Sequence, residues 1–191
     1  MPNICTFKIP NSMEIQSGAY KKFSDKLQKE ILELPVDPTR VIAQQKHLNK
    51  LGKKAFKSYA RVMVETVYGK KGDYEKISTQ LTASKFELIE LNGIYRQSFE
   101  DEVRSINAKG KMTMKIVSWF PLELVEINAI SMVHLRYIRT VNNGPEALVN
   151  IYIVQNDDRM HIITISYRVK NRHLYRDDLA KVIDTFQFYK R

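Results

Sequence analysis

Four segments in the C-terminal half constrain what this chain can build. Residues 112–124, 132–140, 147–155 and 160–170 are rich in β-branched and aromatic residues, and the last three are separated by the turns Asn142-Asn143-Gly144-Pro145 and Asn156-Asp157-Asp158-Arg159. Connections this short join antiparallel neighbours, so a meander is expected, interrupted in its first strand by Pro121. In the strand over 147–155 both alternate sets are apolar: Val149, Ile151 and Ile153 on one side, Leu148, Tyr152 and Val154 on the other. A sheet apolar on both faces must be covered twice.

The rest of the chain offers the covers. From Ser17, an N-cap residue type, Tyr20, Phe23, Leu27, Ile31 and Leu34 recur at helical spacing until Pro35 and Pro38. Residues 41–46 read as a strand, 47–58 as a helix weakened by Gly52, and 59–68 as a strand alternating Ala60, Val62, Val64 and Thr66 with Arg61, Met63 and Glu65. A capping box, Ser84-Lys85-Phe86-Glu87, opens the longest helical pattern, whose stripe is Leu88, Leu91, Tyr95, Phe99, Val103 and Ile106. Gly93 within it predicts a kink or a close contact. Leu174, Tyr175, Leu179, Val182, Ile183 and Phe186 mark a closing helix. These elements predict an α/β fold of the α+β type, a three-layer α/β/α sandwich around a mainly antiparallel sheet. Without repeats or Pro/Ser-rich linkers, residues 1–191 read as one domain.

Composition narrows the class. With 43% hydrophobic and 27% charged residues in 191, the chain is too apolar for disorder, and one cysteine, Cys5, excludes an internal disulfide. Every apolar run is broken well short of the ~18 residues a membrane-spanning helix needs, so no transmembrane segment is expected. The opening Met1-Pro2-Asn3-Ile4-Cys5 has no basic leader before an apolar run. It reads as cytoplasmic at face value, and as exported or cell-envelope if a leader was trimmed. Net charge is +10, and residues 40–76 hold ten basic against three acidic residues, +7 of that excess.

That stretch supplies the candidate site. Lys50, Lys53, Lys54, Lys57 and Arg61, backed by Phe56 and Tyr59, could face nucleic acid or an anionic membrane. A solvated lysine face explains the same residues more simply, because no nucleic-acid motif accompanies them. His47, His134, His161 and His173 stand at no metal-ligand spacing, and His134 and His161 read as sheet residues. Cys5 reads as an inert thiol near a mobile terminus, and Trp119 with Phe120 as core. Asp157-Asp158 suits a turn and Asp177-Asp178 the first turn of a helix. No nucleophile elbow, P-loop or dinucleotide fingerprint is present. Neither cofactor nor catalytic residue is expected. A hydrolase built from scattered residues is the weakest reading and needs a deep pocket gathering His134 or His161 with an acid.

The strand order has a known counterpart. Lys115-Ile116-Val117-Ser118-Trp119, the strands over 132–140 and 147–155, the turn Asn156-Asp157-Asp158, then Met160-His161-Ile162-Ile163-Thr164-Ile165-Ser166-Tyr167 and a helix through Val182-Ile183-Asp184-Thr185-Phe186 resemble the PsbP-like family. This family includes a photosynthetic extrinsic subunit, a nuclear Ran-binding release protein and many bacterial proteins. Phe7-Lys8-Ile9-Pro10 followed by Met13-Glu14-Ile15 is similar to its first strand pair. The resemblance implies a non-enzymatic module that docks on a partner protein of unknown identity, by a sheet edge or an exposed loop. It carries over no binding residue.

Overall fold

The computed structural model describes residues 5–31, 40–51, 57–77 and 85–188. One antiparallel sheet runs β2 (Met13–Ile15), β3 (Val41–Gln45), β4 (Ala60–Tyr68), β9 (Arg159–Arg168), β8 (Ala147–Gln155) and β7 (Ile130–Val141). Beyond β7 lie both β5 (Met114–Trp119) and β6 (Glu123–Ile127), pairing with its second and first halves in turn. They form one edge strand broken at Pro121, which has no N–H to give the ladder. The neighbouring Leu122 N–H is satisfied from outside the sheet, by Asn92 Oδ1 at 3.0 Å, and the same oxygen accepts from Trp119 Nε1 at 2.9 Å. The β6–β7 hairpin turns on Asn128 and Ala129, both at positive φ (54° and 58°), the geometry of a twist-matched two-residue turn.

Both faces of the sheet are covered, unequally. On one side Ala60, Val62 and Val64, Ile163 and Ile165, Val154 and Met132 meet Tyr175, Leu179, Val182 and Ile183 of α3 (Arg172–Asp184), with Phe186 beyond it. A short ribbon of β1 (Cys5–Thr6) and β10 (Gln187–Phe188) packs on the same side. On the other, Val133, Leu135, Tyr137, Val149, Ile151 and Ile153 meet α2 (Lys85–Ala108), whose Leu88, Leu91, Tyr95 and Phe99 are only half-buried. Among the described residues the α3 side holds 16 fully buried core residues and the α2 side 7, so the α3 layer carries most of the apolar burial. At roughly 1.5–3 kcal/mol per large aliphatic side chain, that difference makes α3 the structural cover.

Several expectations are corrected. The Tyr20 helix, α1 (Gly18–Lys26), runs into a π-helical turn (Leu27–Ile31) and buries none of its residues; Phe23 is 57% exposed. It covers little because Tyr20 lies beside the buried amide of Gln44, a polar stretch of sheet. Residues 47–51 form turns and not a helix, with His47 at φ 73° and Leu51 at φ 54°. Asn49 fixes them: its Oδ1 accepts from the Ser17 N–H and its Nδ2 donates to the Ile15 carbonyl, backbone bonds that compete with helix formation. Residues 52–56 of that expected helix, the stop at Pro35 and Pro38, and the Ser84 cap lie outside the described residues. Gly93 does not break α2, which runs on through it, and it makes no close contact, since a Cβ there meets no atom within 4 Å. Residues 7–10 lie outside any strand, β1 just before them pairs with β10, and Met13–Ile15 pairs with β3, so the opening segments are not a strand pair. Cys5 is buried in the α3-side core. Asp177 and Asp178 sit in the second turn of α3, where Asp178 accepts from Ser12 Oγ at 2.6 Å.

Candidate functional site: an arginine-rimmed groove

Along β7 the residues facing α3 are Met132, His134, Arg136 and Ile138, and the core ends where this set turns polar. Next to them on β8 stand Leu148, Asn150 and Tyr152. Between these strands and α3 a groove of about 490 Å³ opens to solvent, floored by Ile138, Leu148, Ile165 and Leu179. Three guanidiniums surround it: Arg136 from the sheet, and Arg172 and Arg176 from α3. Their four-residue separation puts the last two on one side of the helix.

The electrostatics show that the three share one neighbourhood. Tyr167, on the groove wall, has its phenol pushed up by burial, while Arg172, Arg176 and Arg136 all pull it down and only Asp177 adds an opposing negative charge. Arg136 lies over the Phe120 ring, 4.7 Å from its centre, so Phe120 is groove wall rather than core. Its Nη2 is 3.8 Å from Glu123 Oε1, a long contact with a carboxylate half open to water, and its Nε is buried with no acceptor among the described residues. Arg172 and Arg176 form no ion pair among the described residues. Such unneutralised arginines favour carboxylate or phosphate, which they bind through two parallel N–H bonds.

His134 meets the condition a hydrolase would set, since it lines a groove and lies near an acid. Its Nδ1 is 3.4 Å from Glu123 Oε2 and its Nε2 3.2 Å from Asn150 Oδ1, and its ring is stacked on Tyr152 with centres 4.4 Å apart. Both nitrogens therefore face protein partners, and no serine, threonine or cysteine is among the described lining residues. His161 is fully buried, bonded through Nδ1 to Thr66 Oγ1 at 3.0 Å; burial, and then Arg159, press its pKa down to about 4. Burial also raises the Cys5 thiol, which suppresses the thiolate. Among the described residues no three His, Cys, Asp or Glu side chains gather as a metal site, and no helix is long and apolar enough to cross a membrane.

The basic segment lies elsewhere. Arg61 alternates with Ala60 and Val62 and so points to the α2 side, opposite the groove, 5.9 Å from the centre of the Tyr59 ring. Lys50 and Lys57 are exposed, and Lys53 and Lys54 are outside the described residues. The structure thus brings Arg61 together with Tyr59 and Arg168 rather than with the groove. Sequence reasoning missed Arg136, Arg172 and Arg176. The usable signal was a break in parity: His134 and Arg136 occupy inward positions of a strand whose other inward residues are apolar.

No family model matches the chain, and no curated protein matches it. Among solved structures it is similar to cyanobacterial PsbP from Synechocystis sp. PCC 6803, at 10% identity and TM-score 0.48, covering 98% of this chain and 88% of that one. It is similar also to LpqN of Mycobacterium tuberculosis, a protein involved in cell envelope biogenesis, at 8% identity, TM-score 0.40, and 97% and 83% coverage. A Pseudomonas aeruginosa protein of unknown function gives 12% identity, TM-score 0.42, and 79% and 83% coverage. A PsbP structure is thus among the likenesses found, and no partner, role or site passes to this chain from any of them.

Proposed function

We propose that the chain is a non-catalytic binding module, one PsbP-like domain over residues 1–191, whose working surface is the arginine-rimmed groove and whose occupant is an acidic segment of a partner protein. The observation that supports this reading is the convergence of Arg136, Arg172 and Arg176 on Tyr167 above an apolar floor. The arginines suit carboxylates, and the floor between Phe120, Tyr152 and Leu148 suits alternate apolar side chains. This moves the expected docking place from a sheet edge to the α3 side. The test is fluorescence anisotropy with a short labelled peptide of alternating Asp and Leu, and one of Lys and Leu as control. The Arg172→Glu/Arg176→Glu double variant is expected to weaken binding of the acidic peptide tenfold or more, since each charge-assisted bond contributes about 1.5–3 kcal/mol. Equal affinity of variant and wild type, or equal affinity for the two peptides, defeats the reading. The second reading, an anionic ligand on residues 40–76, is supported at Arg61 by a separate cavity.

A further inference from the structure

We propose that the cavity between Tyr59, Arg61 and Arg168, on the α2 side of the sheet, is a binding site for a single phosphate group. It deepens the second reading at Arg61 and is independent of the groove.

The cavity encloses about 190 Å³ where β3, β4 and β9 end, with Tyr59, Arg61, Arg168 and Gln44 among its walls and no acid among the described ones. Sites that enclose whole organic ligands are roughly 300–1,000 Å³, so this space suits an ion or a terminal group. Arg61 stands opposite Ser166 in the β4–β9 ladder, and Tyr59 Oη is 2.8 Å from Ser166 Oγ. Arg139, on β7, lies near enough to act on the same phenol. Arg61 and Arg168 therefore share the cavity wall with Tyr59, and Arg139 acts on the same phenol from β7.

Their charge is uncompensated. The Nε atoms of Arg61 and Arg139 are both buried with no acceptor among the described residues. Arg168 Nη1 donates to the Lys57 carbonyl at 3.2 Å, and Arg139 Nη1 donates to the Met114 sulfur at 3.6 Å. No carboxylate pairs with any of the three among the described residues; Glu102 acts on the neighbouring Tyr137 but forms no ion pair with Arg139. The Tyr59 phenol reports the same field, because Arg61 and Arg139 pull it below the ordinary tyrosine value although burial pushes the other way. A buried donor without an acceptor is costly, and clustered like charges add to that cost. A phosphate oxygen relieves both, and the arginine fork matches its geometry. Exposed Lys57, beside the lining residue Ser58, adds long-range attraction.

The test is an NMR titration of the full chain with inorganic phosphate, following the arginine Nε–H signals. The expected result is saturable movement of the Arg61 and Arg168 signals with Kd near or below about 1 mM. Arg61→Gln is expected to weaken binding about tenfold, and Arg168→Gln, at a half-exposed position, serves as the second variant if the first does not fold. Arg172→Glu/Arg176→Glu, at the groove, is expected to leave the phosphate-dependent movement of the Arg61 signal unchanged, so failure of this site and failure of the groove are separate results. Flotation with phosphatidic acid vesicles divides the sources. Retention of wild type and not of Arg61→Gln assigns a lipid head group, and phosphate binding without such retention assigns the free ion. No saturation up to about 10 mM phosphate, or equal affinity in wild type and both arginine variants, overturns the proposal.

Discussion

The two faces of the sheet are covered by helices that do different amounts of structural work, and each face has its arginines where its core gives out. On the α3 side the core is deep, and the groove begins where Met132 is followed inward by His134 and Arg136. On the α2 side the helix residues are only half-buried, and Arg61, Arg139 and Tyr59 gather at the end of the sheet. Neither helix spans the whole of the sheet it covers. The uncovered margins of a two-faced sheet must still be filled, and here they hold guanidiniums of which only Arg136 has a carboxylate partner among the described residues, the distant and half-exposed Glu123. Stability is thus concentrated under α3, and binding chemistry at the margins of both layers.

The comparison can be broken by truncation. Leu179→Ala on α3 is expected to cost about 2–5 kcal/mol in denaturant unfolding, and Leu91→Ala on α2 less than half of that. Equal costs would remove the asymmetry between the faces.

A pH titration sharpens it on the α3 side. The folded pKa of His161, about 4, lies below the ordinary 6.5, so the unfolded chain binds the proton more readily. Its contribution to stability is therefore full above pH 6.5 and declines as pH falls toward 4, by on the order of 2–3 kcal/mol. Unfolding free energy measured across that window is expected to show this slope in wild type and to lose it in His161→Leu. An unchanged slope in the variant means that His161 is not the group responsible.

On the α2 side the expected effects are smaller. Asn92→Ala strands the Leu122 N–H and the Trp119 indole N–H, and is expected to cost about 1–3 kcal/mol. Gly93→Ala fills open space on a continuous helix and is expected to raise stability by about 0.5–1 kcal/mol, read as a shift in melting temperature. Destabilisation there would show that α2 needs its glycine.

Much of the fold was legible because apolar parity is a local property. The double-faced pattern of Val149, Ile151 and Ile153 against Leu148, Tyr152 and Val154 called for two covers, and α2 and α3 supply them. The stripe Leu88, Leu91, Tyr95, Phe99 stood at the right spacing and faces the sheet. The 47–51 turns were illegible because Asn49 makes its deciding bonds to Ile15 and Ser17, more than thirty residues away. The groove was illegible for the same reason: Arg136 and the pair Arg172 and Arg176 meet only when α3 folds back over β7 and β8. A linear charge count pointed instead to residues 40–76, where lysines are dense, and within that stretch Arg61 joins Arg168 in a cavity.

Whether the groove under α3 is the working surface is decided by titrating the Asp-Leu peptide into isotopically labelled protein and mapping the perturbed signals. Saturable changes are expected at Leu148, Tyr152, Tyr167 and Leu179 and at the Arg172 and Arg176 side chains, with the β2 edge and α2 unaffected. Changes centred on β2 or α2, or no saturable change at all, would contradict it.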